Sequence, residues 1–269
     1  TRERFLPIGR ELSEDAGDIP VNLRTFGGAG REHMRQYGTK METFAAIRAK
    51  ASRHAANNPL ALFKKQVTTE EVMNDQPMWP GVMTRMMACP PTCGAAAAIV
   101  CSSRFAARHN LRSDVAILAQ AMVTDPVASF DPPTLTGFVG FYMTQAAARQ
   151  VYEQSGFGPE DMRVVELHDC FAHNELLTYE ALGLCELGGA EKFVVDGENT
   201  YGGRVVTNPS GGLLCKGHPL GATGLAQCYE LTQQLRGTAD QRQVDGVTLA
   251  LQHNLGLGGA CVVTLYGRH

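Results

Sequence analysis

The sequence predicts a mixed α/β fold, and three observations carry that reading. From about Met86 onward, short apolar runs of strand length alternate with segments of helical period. The helical segments close on glycines placed where a left-handed stop is needed. The chain has 269 residues, 44% of them hydrophobic, which suffices for one large core or two modest ones. Alternation of strand and helix predicts a mixed sheet covered on both faces.

Residues 1–85 read as polar and helical. Thr39 and Glu42 predict a capping box, after which Phe44, Ile47, Ala51 and His54 recur on one helical face, and Asn57-Asn58-Pro59 predicts the end of that helix. Thr68 and Glu71 predict a second box, opening a short helix before Trp79-Pro80. Residues 95–101 and 115–122 read as strands separated by a short helix. A helix from about Thr144 turns Ala147, Ala148, Val151 and Tyr152 inward and stops at Gly156. Residues 164–167 form a short buried strand. A helix over residues 223–236 is closed by Gly237, with Leu225, Cys228, Thr232 and Leu235 expected on its inner face. Two last strands, 247–252 and 261–266, are joined by the glycine-rich residues 255–259.

A net charge of -3 and a pI near 6.2 exclude a general nucleic-acid binder, which needs a surplus of Lys and Arg. The charge is uneven: within residues 21–65, nine Lys and Arg face only Glu32 and Glu42. No apolar run reaches the ~18 residues of a membrane span, and Thr1-Arg2-Glu3-Arg4 does not read as a signal peptide. Eight scattered cysteines point to a reducing compartment. Cys89 and Cys93 lack a second pair, so no metal is expected.

Chemistry is concentrated in four places. His168-Asp169-Cys170-Phe171 follows the 164–167 strand, at the kind of strand end where α/β sheets collect ligands; a buried Cys beside a hydrogen-bonded His has the same spacing. Gly217-His218-Pro219-Leu220-Gly221 runs into a helix whose N-terminus favours a neutral, proton-accepting imidazole, or it is a capping loop in which the His fills space. His253-Asn254-Leu255-Gly256 lies between the last strands, where glycines permit close backbone approach to an oxyanion, and a plain hairpin accounts for them equally. Asn208-Pro209-Ser210-Gly211-Gly212 is a turn that could shape a pocket wall.

Together and in this order, these motifs resemble the thiolase superfamily, most closely its sterol-carrier-protein type. The similarity continues through residues 174–185, Asn199-Thr200-Tyr201-Gly202-Gly203, residues 27–39 and Cys89-Pro90-Pro91-Thr92-Cys93. It covers the chain except roughly its first twenty residues. Most thiolases carry Asn-Glu-Ala-Phe where this chain has His168-Asp169-Cys170-Phe171, and place their acid/base Cys in the final glycine-rich loop. Here that loop offers His253 and Asn254, and Cys170 supplies the thiol.

The resemblance implies a layered αβαβα thiolase fold with mixed five-stranded sheets. Residues 1–85 would be the loop domain on the coenzyme A side, 86–124 the last strands of the N-terminal half, and 125–269 the complete C-terminal half. It implies cleavage of a 3-oxoacyl-CoA by CoA, with CoA as substrate and no cofactor. His218 would take the proton of a nucleophilic Cys, Cys170 would protonate the departing enolate, and His168 with His218 would polarise the thioester oxygen. The Gly256 N–H would hold the other oxyanion, Asn254 would complete the catalytic set, and Phe171, Ser210, Gly211 and His253 would contact substrate. The basic segment would line the CoA path. The nucleophile belongs to the N-terminal half, most of which is not expected here; Cys93 imitates a reactive turn where relatives commonly carry Asp. Rival expectations are a silent acyl-CoA-binding protein and a structural half-subunit. A homodimer or homotetramer and a peroxisomal or mitochondrial location are implied by resemblance alone, although Tyr266-Gly267-Arg268-His269 is no peroxisomal address.

Overall fold

A computed structural model describes residues 16–256 and 259–268. The first fifteen residues of the expected loop domain, Leu257 and Gly258 of the final loop, and His269 lie outside them.

The helices and strands, in chain order, are α1 (Val21–Tyr37), α2 (Met41–Ala56), α3 (Thr69–Met73), β1 (Pro77–Trp79), β2 (Met83–Thr84), α4 (Ser103–Arg108), β3 (Val115–Val123), α5 (Leu135–Phe138), α6 (Phe141–Ser155), β4 (Val164–Glu166), α7 (Ala172–Ala181), α8 (Ala190–Val195), β5 (Val206–Thr207), α9 (Gly212–Cys215), α10 (Thr223–Arg236), β6 (Leu249–Gly256) and β7 (Ala260–Arg268). Five strands form one mixed sheet in the order β3-β7-β6-β4-β5. β4 lies parallel to β5 and β6, and β7 runs antiparallel to both β6 and β3.

Period-2 alternation along the strands builds two cores. Val164, Val206, Ala250 and Tyr266 meet Leu231 and Leu235 of α10 on one face. Their neighbours Val165, Leu251, Val263 and Leu265 turn to the larger core with Ala147 and Val151 of α6, Leu176 of α7 and Phe44 and Ile47 of α2. Each large side chain buried this way contributes about 1.5–3 kcal/mol. The N-terminal helices are also tied to α7 by buried polar contacts. Lys50 pairs with Glu175, and His33 lies 2.9 Å from Glu180.

Three local expectations change. The Thr39–Glu42 box does not form: α2 is capped by Lys40, while the Thr39 hydroxyl meets His33 Nδ1 at 2.7 Å and the Lys40 amide donates to Glu191 at 2.6 Å. The Thr68–Glu71 box does form, with both reciprocal bonds. Residues 95–101 pair with no strand among the described residues, and Ile99 and Val100 are 97% and 75% exposed. An apolar run becomes a strand only when a neighbouring strand takes its backbone groups. On α10 the inner face holds Thr223, Gln227, Glu230, Leu231, Gln234 and Leu235, while Leu225 is exposed and Cys228 and Thr232 are half-buried. Polar residues occupy that inner face because they bond partners inside, as Glu230 does with Arg242.

β3 is hydrogen-bonded along its length to β7. A division at residues 124 and 125 therefore cuts the edge strand from its own sheet. α6 and α10 stop at Gly156 and Gly237, both in the left-handed conformation.

Candidate active site

The C-terminal ends of β4 and β6 lie side by side because the two strands are parallel neighbours. The chain leaves β4 into residues 167–171 and leaves β6 at Gly256, and the loop before α10 reaches the same edge. A cavity of about 930 Å³ opens there, lined by His168, Cys170, Phe171, His218, Asn254 and Gly256 among others. These six come from three segments far apart in sequence. Its apolar wall includes Leu23, Phe26, Ala98 and Ile117, and Phe26 stacks on Phe171 with ring centroids 4.7 Å apart.

The His168 and His218 rings meet edge to face at 4.9 Å. The His168 carbonyl accepts from Asn174 Nδ2 at 2.5 Å, its N–H reaches His253 Nδ1 at 3.3 Å, and its Nδ1 is buried without a partner. His218 is fixed at both ends: its N–H donates to the Thr92 hydroxyl at 2.6 Å, and its Nδ1 lies 2.8 Å from Thr223 Oγ1. Burial lowers the pKa of His218, with the Lys216 ammonium adding to it, where the sequence pointed to the helix terminus. Burial also holds His168 well below the usual histidine range, helped by His218, His253 and Lys216. Burial pushes the Cys170 thiol well up, with Cys89 and Asp169 adding to it. The resting site therefore holds neutral imidazoles beside a protonated thiol. Such a set can accept a proton at one point and deliver one at another.

Three of the expected substrate contacts are placed elsewhere. His253 sits inside β6, fully buried, bonding Thr144 Oγ1 at 3.0 Å and standing behind His168. Strand alternation explains it: Gln252 and Asn254 face the cavity, so the residue between them faces away. Ser210 is buried with its hydroxyl donating to Glu166 at 2.9 Å. Gly211 packs on α2, where a Cβ would meet that of Ala55 at 2.5 Å. Ser210 borders a second, smaller space instead.

The basic segment supplies no cationic group to this cavity. No Lys or Arg among the described residues lines the cavity, and Arg48 and Lys50 are buried in the fold. Cys93 is exposed and lines the smaller space. Cys89 is the residue that the sequence reading passed over. It lines the cavity, donates its N–H to the Cys170 carbonyl at 2.9 Å, and has its thiol pushed by burial up to about 12. Considered as half of a metal pair, it gave no sign of that place. Among the described residues, no group of three or more His, Cys, Asp or Glu is arranged to hold a metal, and no helix is long and apolar enough to cross a membrane.

Comparison with known proteins decides the family. Residues 134–266 match the model described as "Thiolase C-terminal domain-like". The chain belongs to the thiolase superfamily. It is 56% identical to Sterol carrier protein 2 of Oryctolagus cuniculus over 248 residues, covering 92% of this chain and 45% of that protein. It is 37% identical to an acetyl-CoA acetyltransferase of Methanothermobacter thermautotrophicus, covering 88% of this chain and 61% of the other. Among solved structures, "Ltp2-ChsH2(DUF35) aldolase" superposes with a TM-score of 0.76 at 24% identity, over 91% of this chain and 63% of that one. The fold is thus the thiolase fold. The chain spans about half the length of the sterol carrier proteins it matches.

Proposed function

We propose that this chain carries the C-terminal catalytic groups of a thiolase that cleaves 3-oxoacyl-CoA with CoA, giving acyl-CoA and acetyl-CoA. The observation that carries the reading is the meeting of His168, Cys170, His218, Asn254 and Gly256 in one cavity. The nucleophilic thiol is assigned to a segment outside these 269 residues. As it attacks the 3-keto carbon, its proton passes to His218, whose lowered pKa supports a neutral acceptor. The C2–C3 bond breaks, and the electron pair becomes the enolate of acetyl-CoA. Cys170, held protonated by burial, donates to the enolate carbon and then takes a proton from incoming CoA, whose sulfur attacks the acyl-enzyme; the bond from the acyl carbon to the nucleophile's sulfur breaks, and the released thiolate regains its proton from His218. His168 and His218 face the enolate oxygen, and the Gly256 N–H stabilises the tetrahedral oxyanion.

The apolar wall suits the acyl part of such a substrate. Because no Lys or Arg among the described residues lines the cavity, the phosphates of CoA fall beyond its mouth. Thiolysis of 3-oxoacyl-CoA by the complete polypeptide, compared with its Cys170→Ala form, tests the proposal. Turnover in the first and a loss of about 100-fold in the second is the expected result.

A second reading has its own observation: two of the cysteines lining the cavity, Cys89 and Cys170, have thiols pushed up by burial. A protein that binds acyl-CoA without turnover would show acyl-CoA affinity in the same preparation and no thiolysis.

A further inference from the structure

Between His168 and Cys170 stands a residue that touches neither cavity nor solvent. Asp169 is completely buried, and its two carboxylate oxygens accept from the backbone amides of Leu213 at 2.7 Å and Leu214 at 3.3 Å. The segment it grips leads through Cys215, Lys216 and Gly217 to His218. Three further contacts join the same two stretches of chain. Glu166 accepts from Ser210 N and Oγ at 3.0 and 2.9 Å, Asn208 Oδ1 accepts from Leu167 N at 2.8 Å, and Asn208 N donates to Val165 O at 2.8 Å.

Gly212 shows how close this approach is. Its φ is 59°, and a Cβ there would lie 2.0 Å from Asp169 Oδ2. No side chain fits between the carboxylate and the backbone that it holds. The clamp is also backed from behind, where Asn58 Nδ2 donates to Ser210 O at 2.8 Å and His54 Nδ1 donates to Asn208 O at 3.0 Å.

We propose that Asp169 is a positioning residue: by gripping the Leu213 and Leu214 amides it sets where the Cys170 thiol stands relative to the His218 imidazole. This rests on the reading that the two groups serve one reaction. Both oxygens face N–H donors, so the ionised carboxylate satisfies the clamp and an amide satisfies half of it. In Asp169→Asn the new NH₂ faces an N–H, one bond is lost, and a small displacement of either loop follows. Misplacement of groups that meet only in the transition state lowers kcat and leaves binding of the ground state alone.

The test uses the complete polypeptide at about pH 9, where a carboxyl raised by burial to about 8 is ionised. Asp169→Asn is expected to lower kcat for thiolysis by about tenfold or more while KM stays within about twofold. Unchanged kcat, or a loss confined to KM, overturns the proposal. A second measurement needs no variant. Hydrogen exchange of the wild type, followed by mass spectrometry of peptides spanning residues 208–217, is expected to show the Leu213 and Leu214 amides among the slowest. Rapid exchange there overturns the clamp. A wild type without thiolase activity overturns the functional reading instead and leaves exchange to decide on the clamp.

Discussion

The Thr223 hydroxyl donates to the Pro219 carbonyl at 3.1 Å and therefore accepts from His218 Nδ1 at 2.8 Å. A carbonyl oxygen can only accept, so the direction of both bonds is fixed. The proton of His218 sits on Nδ1, and Nε2 keeps a free lone pair. That is the tautomer a proton acceptor needs. Thr223→Val removes the acceptor and is expected to lower kcat for thiolysis by about tenfold or more, while Thr223→Ser retains most of the activity. Steady-state kinetics of the two variants check it, and equal losses would show that the hydroxyl does not set the tautomer.

His253 is expected to matter for stability rather than for substrate. It holds Thr144 and the His168 amide from within β6. His253→Ala leaves the buried His168 amide unpaired, at a cost of about 1–3 kcal/mol, and leaves the Thr144 hydroxyl only the Cys261 thiol at 3.7 Å. Chemical denaturation should register that loss, and the KM for acyl-CoA should stay near its wild-type value.

The Lys50–Glu175 pair is buried together with Tyr179 and Thr207, which bond the same groups. Removing one partner leaves an uncompensated charge, so Lys50→Met alone should destabilise by about 3–5 kcal/mol. The double variant Lys50→Met with Glu175→Leu should cost less than either change alone. A double-mutant cycle in denaturant checks the sign of the coupling.

Stability should pass through a maximum near neutral pH. His54, His173 and His253 are held by burial near 3, 4 and 3, against an ordinary 6.5. Below about 6.5 the unfolded chain binds protons that the folded chain refuses, so these groups make stability rise with pH up to that value. Glu166 and Asp169 act in the opposite sense, since burial raises them to about 7 and 8. The folded chain keeps their protons where the unfolded chain releases them, and this contribution is lost as pH rises toward 7 and 8. Three histidines outweigh two carboxyls below about 6.5, and above it only the carboxyls remain. Denaturation midpoints between about pH 4.5 and 8.5 should therefore peak near 6–7, and a steady rise across the whole range would contradict the assignment.

Much of this was legible in the sequence, and what was not has local causes. Gly156 and Gly237 marked helix ends because a left-handed stop needs glycine whatever surrounds it. Thr39 imitated a cap, yet His33 and Glu191 compete for that turn from elsewhere in the fold. For the site, motif order identified His168, Cys170, Phe171, His218, Asn254 and Gly256, all of which line the cavity. His253 was misplaced because neighbours in a strand face opposite ways. Ser210 and Gly211 were misplaced because their turn supports the site from behind, with Ser210 on Glu166 and Gly211 on Ala55. Spacing in sequence carries no information about which side of a loop meets the ligand.

The central claim is that Cys170 moves a proton to and from the carbon beside a thioester. Incubating acetyl-CoA with the complete polypeptide in D₂O and following deuterium entry into the acetyl methyl group by mass spectrometry tests it without the rest of the reaction. Exchange by the wild type, reduced at least about 100-fold in Cys170→Ala, is the predicted result; exchange that proceeds undiminished without that thiol would contradict it.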